Sequence, residues 1–191
     1  MRTIYPAQYR LVPEHATRAF TGKIFDVYQW EQKLFDGTTA TFEMLKRPDT
    51  LQVFAIKDHK LVVLKEEQPS MGAPFYGLPG GRHDNPKETE VDSAQRELRE
   101  ETGMEFRDWR LVGAIQPYAK IEWFIYYYVA TGYEQTGTVH FDAGEKIELR
   151  LLDYASVIEL AHGPSARHLP LDYIEQVDSI DALANLPDFG A

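Results

Sequence analysis

Three glutamates, Glu97, Glu100 and Glu101, fall within the short run RELREETG. On a helix, residues three and four apart are neighbours on one side, so the three carboxylates converge along a single strip. Side by side in a dry site they would repel, and their pKa values would rise unless positive charge compensated them. Mg²⁺ or Mn²⁺ is the economical answer, because hard cations take oxygen ligands and commonly bridge carboxylates to phosphates. The plainer alternative is a solvated acidic helix with ordinary partners, such as Arg96 with Glu100. Context favours the metal: the pair Gly80-Gly81 precedes the helix, Glu88 stands nine residues before Glu97, and Arg96 adjoins the cluster.

The elements that must position these groups can be read from periodicity and punctuation. A helix is predicted from about Thr89 to Thr102, with Thr89 and Asp92 in an imperfect capping-box pattern and Gly103 as its C′ residue. Val91, Ala94, Leu98 and Thr102 give it a buried stripe. Upstream, KIFDVYQWE and TATFEMLKR read as a hairpin joined at Asp36-Gly37, and residues 50–66 read as strand, turn and strand. Further strands are predicted at 109–118, at 121–131 and over IELRLLD, the second apolar on both faces and therefore central. A short strand is expected near Tyr9–Val12, a helix from Asp153 to Ala161, and a last amphipathic helix from Asp172 to Leu186.

Composition narrows the function classes. The chain has 191 residues and no cysteine, so disulfides and Cys-ligated metals are excluded and a cytoplasmic setting is expected. Residues 1–20 lack the apolar core of a signal peptide, and the run from Trp123 to Ala130 is too short to span a bilayer. The formal net charge of -10 disfavours nucleic acid and anionic membranes as partners. It does not disfavour a phosphorylated small molecule held through divalent cations.

The stretch from Gly81 to Met104 resembles the Nudix box. That pattern runs Gly, five residues, Glu, seven residues, Arg-Glu, an apolar residue, any residue, Glu-Glu, any residue, Gly and an apolar residue. Its second half is matched throughout by Glu88, seven residues, and Arg96-Glu97-Leu98-Arg99-Glu100-Glu101-Thr102-Gly103-Met104. The first half departs by one residue, since six residues separate Gly81 from Glu88. A one-residue insertion is expected to be absorbed before the helix starts.

The resemblance implies an α/β class chain with the Nudix α/β/α sandwich, a mixed sheet between helices. Residues 1–47 would form a small N-terminal β region and residues 48–191 the hydrolase domain with C-terminal helices. It implies Glu97 and Glu101 as metal ligands, Glu100 as a ligand to a further metal or a residue that helps position water, and the Gly80 carbonyl as a backbone ligand. Arg96 and Glu88 would be the supporting ion pair. The implied chemistry is hydrolysis of a diphosphate linked to another group, with Mg²⁺ or Mn²⁺ as cofactor.

Outside the box, KIFDVYQWEQKLFDG, the hairpin that follows and Gln68 are similar to the ADP-ribose pyrophosphatase branch and its nucleotide-sugar relatives. This implies ADP-ribose as leading substrate, AMP and ribose 5-phosphate as products, and a homodimer through the N-terminal β region. Tyr28 and Trp30 are candidates for a contact to the base, against the alternative that they pack the hairpin. Relatives of the branch often carry an Arg shortly after the Gln and a Glu before the glycine turn. Here those places read Gln68-Pro69-Ser70 and Gly77, and Arg82 is the candidate substitute for the missing phosphate contact. In the loop 137–148, Glu145 is the first candidate for the residue that activates water, with Asp142 and Glu148 as alternatives. The histidines at 83, 140, 162 and 168 have no zinc-like spacing. Competing readings are a pyrophosphatase for nucleotide sugars or dinucleotides, and a regulatory module that binds nucleotides without turnover.

Overall fold

The apolar run from Ile125 to Ala130 is buried throughout, as expected for a strand with no face left to solvent. It lies in a computed structural model that describes residues 2–140, 144 and 146–190. In chain order the elements are β1 (Thr17–Thr21), β2 (Asp26–Lys33), β3 (Thr39–Lys46), β4 (Asp49–Lys57), β5 (Lys60–Glu67), β6 (Phe75–Gly77), β7 (Gly80–His83) and α1 (Glu90–Thr102). Then come β8 (Met104–Ile115), β9 (Ile121–Glu122), β10 (Ile125–Thr136), β11 (Lys146–Leu152), α2 (Tyr154–Ala161), β12 (Ala166–His168), α3 (Leu171–Ile174) and α4 (Ile180–Ala184).

Two sheets result among the described residues. One has the order β1-β2-β3-β9, and the other β12-β6-β5-β4-β10-β8, with β11 on β5 and β7 on β4. The second sheet is mixed, because β10 runs parallel to β4 and antiparallel to β8. Side-chain alternation along β10 sends Tyr126 and Tyr128 to a core shared with Ala94 and Leu98 of α1, and Tyr127 and Val129 to a core shared with Val157, Ile174 and Leu183 of the later helices. Helices therefore cover both faces, as the α/β/α sandwich requires. Among the described residues no helix is long and apolar enough to cross a membrane.

Local chemistry explains the element ends nearest the site. Thr89 Oγ1 accepts from the Asp92 N–H at 3.2 Å while Asp92 accepts from the Thr89 N–H at 3.0 Å, a complete capping box. Gly103 closes α1 at φ 70°, its N–H donating to the Arg99 carbonyl at 2.8 Å. The residue added between Gly81 and Glu88 is taken up in the turn where the Glu88 N–H donates to the Asn85 carbonyl. Between β4 and β5, Asp58 and His59 both adopt positive φ, giving the two-residue hairpin connection that matches strand twist.

Three sequence expectations need correction. Residues 9–12 form no strand. They are pinned by side chains instead, with the Arg10 N–H donating to Gln116 Oε1 and the Val12 N–H to Glu122 Oε2. The strand expected over 121–131 is interrupted at Trp123-Phe124. Asp49 Oδ1 accepts the Phe124 N–H at 2.8 Å and Trp123 Nε1 donates to Thr50 Oγ1 at 2.9 Å, so the chain passes from one sheet to the other. The helix expected over 172–186 is two short helices. Tyr154 Oη donates to the carbonyls of Ile174 and Val177, and Ser179 starts α4 by accepting from the Ala182 N–H.

Candidate active site

The glycine pair brings backbone against the acidic helix. Gly80 pairs with Gln52 and Gly81 with Leu51 across β4 and β7. A Cβ at Gly80 would lie 1.9 Å from the Leu51 carbonyl oxygen, and one at Gly81 would lie 2.2 Å from the Glu97 carboxylate. Only glycine admits both approaches. From this close position the Gly80 N–H donates to Glu101 Oε2 at 2.8 Å.

One guanidinium organises the remaining acids. Arg96 Nε approaches Glu88 Oε2 at 3.2 Å, and its Nη1 donates to Glu97 Oε1 at 2.8 Å and to Glu100 Oε2 at 3.1 Å. Glu88 also accepts from Ser93 Oγ at 2.7 Å and from Asn85 Nδ2 at 2.9 Å. The Ser93 bond leads the effects that hold its carboxyl below the usual range, with Asn85 and Arg96 adding to it. Glu97 moves the other way. Burial raises its carboxyl, the negative charges of Glu100 and Asp84 add to the rise, and Arg96 only partly offsets it.

Glu101, Gly80, Gly81 and Arg82 line a cavity of about 380 Å³ together with Gln68. Three arginines, Arg47, Arg82 and Arg167, reach this cavity. Arg47 stacks over Trp123 at 4.6 Å and Phe25 at 5.3 Å, and Arg167 over Phe75 at 4.8 Å. Burial lowers the pKa of Arg47, and the charge of Arg82 adds to the effect. A cavity carrying a carboxylate helix and several guanidinium groups can hold a cation and a polyanion at once.

The donor chemistry fits a hard divalent cation. The acids are all-oxygen donors, and a metal would compensate the buried charge of Glu97, whose carboxyl is raised chiefly by burial. Their present hydrogen bonds must yield first, since among the described residues no group of three or more acidic, His or Cys side chains is gathered tightly enough to hold an ion.

Sequence reasoning and structure differ on several side chains. Glu88, Arg96, Glu97, Glu100, Glu101, Gly80, Arg82 and Gln68 are brought into the cavity or the ion-pair network beside it. Tyr28 lines an adjoining groove of about 590 Å³ that shares Ile24 and Arg47 with the cavity. Trp30 lines neither. It packs near Phe42 with ring centroids 6.2 Å apart, and its Nε1 donates to Gln32. Glu145 and Asp142 lie outside the described residues. Glu148 is on β11, where it pairs with Arg150 at 2.6 Å, and it is not among the residues of the cavity. Arg47, Trp123 and Arg167 escaped sequence reasoning, although Arg47 before Pro48 at the end of a hairpin marks the exit from the first sheet.

Comparisons with known proteins agree with this geometry. A family profile described as the NUDIX domain matches residues 46–171, more than half of the chain. The chain is 32% identical over 85 residues to an ADP-ribose pyrophosphatase of Bacillus subtilis (strain 168), covering 44% of this chain and 45% of that one. It is 28% identical over 116 residues to a methanol dehydrogenase activator of Bacillus methanolicus, covering 59% and 62%. These matches span less than two thirds of either relative's length. A crystal structure of an ADP compounds hydrolase superposes with a TM-score of 0.67 at 18% identity, covering 86% of this chain and 88% of that chain, which shows a shared fold.

Proposed function

Because the chain belongs to the Nudix family, we propose that it hydrolyses the pyrophosphate bond of a nucleoside diphosphate linked to a sugar. ADP-ribose is the leading substrate, with AMP and ribose 5-phosphate as products. The observation that carries this reading is one cavity holding Glu101 and the glycine pair together with Arg47, Arg82 and Arg167. The similarity to an ADP-ribose pyrophosphatase over 85 residues supports the choice of substrate.

Nudix hydrolases generally use divalent metal ions. Here Glu97, Glu101 and the Gly80 carbonyl would hold Mg²⁺ or Mn²⁺, with Glu100 toward a further ion. A cation so placed neutralises pyrophosphate charge and lowers the pKa of the attacking water. The protein's own groups do the rest. Arg47, Arg82 and Arg167 bind phosphate oxygens, with Arg82 serving where the branch's usual arginine is replaced by Ser70. Arg96, fixed by Glu88, holds the carboxylates in register. Glu145 is the proposed acceptor of the water's proton, from a loop whose described part meets the end of α1, where the His140 N–H donates to the Glu100 carbonyl at 2.8 Å. Water adds to one phosphorus, the bridging P–O bond breaks, and the leaving phosphate departs with the bridging oxygen.

The groove beside the cavity, with Tyr28 in its wall, is the proposed seat of the base. Trp30 could join it only in an assembly with a second copy. A homodimer through the first sheet belongs to the same proposal, supported by the wholly exposed edge strand β1 and its Phe20.

Substrate choice is tested with a panel of ADP-ribose, ADP-glucose, GDP-mannose, NADH and diadenosine polyphosphates, with Mg²⁺ and products separated by anion exchange. ADP-ribose is expected to give the highest kcat/KM. Faster cleavage of another diphosphate keeps the chemistry and reassigns the pocket, and tight nucleotide binding without product contradicts catalysis.

A further inference from the structure

Arg2 holds together a charge cluster outside the acidic helix. Its Nε and Nη2 donate to the two carboxylate oxygens of Asp49 at 2.7 and 2.8 Å, and its Nη1 donates to Glu122 Oε1 at 3.1 Å. The guanidinium also lies 4.2 Å from the centre of the Phe124 ring. Both carboxylate side chains are only 4% exposed.

The two acids belong to the two segments that build one wall of the cavity. Asp49 adjoins Thr50 and lies two residues from Arg47, and Glu122 adjoins Trp123; Thr50, Arg47 and Trp123 all line the cavity. The segments are also joined at other points. The Arg47 N–H donates to the Glu122 carbonyl at 3.3 Å, the Thr50 N–H to the Phe124 carbonyl at 2.9 Å and the Phe124 N–H to Asp49 Oδ1 at 2.8 Å, while Trp123 Nε1 donates to Thr50 Oγ1 at 2.9 Å and the Arg47 guanidinium stacks on the Trp123 ring. This junction is also where the chain passes between the two sheets, and the strand pairing is interrupted between the Lys46–Glu122 pair and the Thr50–Ile125 pair. Arg2 spans the gap with a forked contact that a point charge cannot reproduce.

We infer that Arg2 is a positioning residue for substrate binding, setting the Arg47–Trp123 wall by clamping Asp49 to Glu122. The inference rests on the proposed function and adds a residue to it. Without the guanidinium, two buried carboxylates face one another. Lys46, at 2.7 Å, still neutralises Glu122, but among the described residues Asp49 keeps only its side-chain bond from the Phe124 N–H. The junction then loosens, and the stacked Arg47 shifts from its seat. Arg2 and Asp49 also border the groove proposed for the base, and Arg2 touches neither the glycine pair nor the acids of the Arg96 network, so binding suffers and the chemical step does not.

The test compares wild type, Arg2→Met, Arg2→Lys, Arg47→Met and the Arg2→Met/Arg47→Met double variant in KM and kcat for ADP-ribose. Arg2→Met is expected to raise KM about tenfold with kcat within about twofold, the pattern of lost uniform binding. Arg2→Lys should give a smaller rise in KM, and the double variant should have the KM of Arg47→Met alone. An unmoved KM in Arg2→Met, or an added rise in the double variant, overturns the inference. If Arg2→Met does not fold, Arg2→Lys decides, and an unchanged KM there overturns it. Absence of turnover in wild type overturns the functional reading instead, and is distinguished by that control.

Discussion

Glu101→Gln is expected to lower kcat on ADP-ribose by roughly 10²- to 10³-fold, the scale of losing one preorganised electrostatic contact at a reacting phosphate. Stability should change by no more than about 1 kcal/mol, because the amide oxygen of glutamine can still accept from the Gly80 N–H. Glu97→Gln makes the contrast sharper. Burial, only partly offset by Arg96, already raises the carboxyl of Glu97, and the substitution mimics its uncharged form. Its metal-free melting temperature should therefore not fall, while its metal affinity and turnover collapse. Calorimetric Mn²⁺ titration beside thermal melts reads both quantities. A solvated acidic helix predicts no loss of metal affinity or turnover.

The glycine pair yields the second large effect, and its two members should fail differently. At Gly80 an added methyl meets the Leu51 carbonyl oxygen at 1.9 Å, with φ at +153°. Backbone meets backbone there, so β4 and β7 must separate, and Gly80→Ala should cost about 3 kcal/mol of stability. At Gly81 the methyl meets only the end of the Glu97 side chain, at 2.2 Å, which can swing aside. Gly81→Ala should keep stability within about 1 kcal/mol and lose roughly 10²-fold in kcat, since a ligand displaced by an ångström forfeits its geometry. Urea melts combined with steady-state rates separate the two outcomes. Equal stability losses in both variants would contradict the assignment of Gly81 to the chemistry.

What sequence could reveal was set by the range of the interactions involved. The helix from Thr89 to Gly103 was legible because its caps, stripe and acids are all local, and the capping box is complete despite Asp92 standing where Glu is usual. The central strand was legible from unbroken apolarity. The sheet switch at Trp123-Phe124 was not, because it depends on Asp49, far away in sequence, taking the Phe124 N–H. The broken C-terminal helix depends in the same way on the Tyr154 hydroxyl reaching Ile174 and Val177. Residues spaced three apart suggested one helix, and a long-range hydrogen bond decided otherwise.

The site divides along the same line. Its acids sit on one helix at fixed spacing, so they could be named from sequence. Its cationic wall is assembled from a hairpin end at Arg47, the short strand β7 at Arg82 and a late strand at Arg167, and no spacing links these. Tyr28 and Trp30 are two apart on a strand and looked equivalent in sequence, yet only Tyr28 borders the groove. Trp30 packs near Phe42 instead.

The most direct test is to strip the purified protein of metal, incubate it with ADP-ribose with and without added Mg²⁺, and separate the products by anion exchange. The account predicts AMP and ribose 5-phosphate in equal amounts, formed only when Mg²⁺ is present. Product formed equally well without metal, or no product from any diphosphate with it, would contradict the central claim.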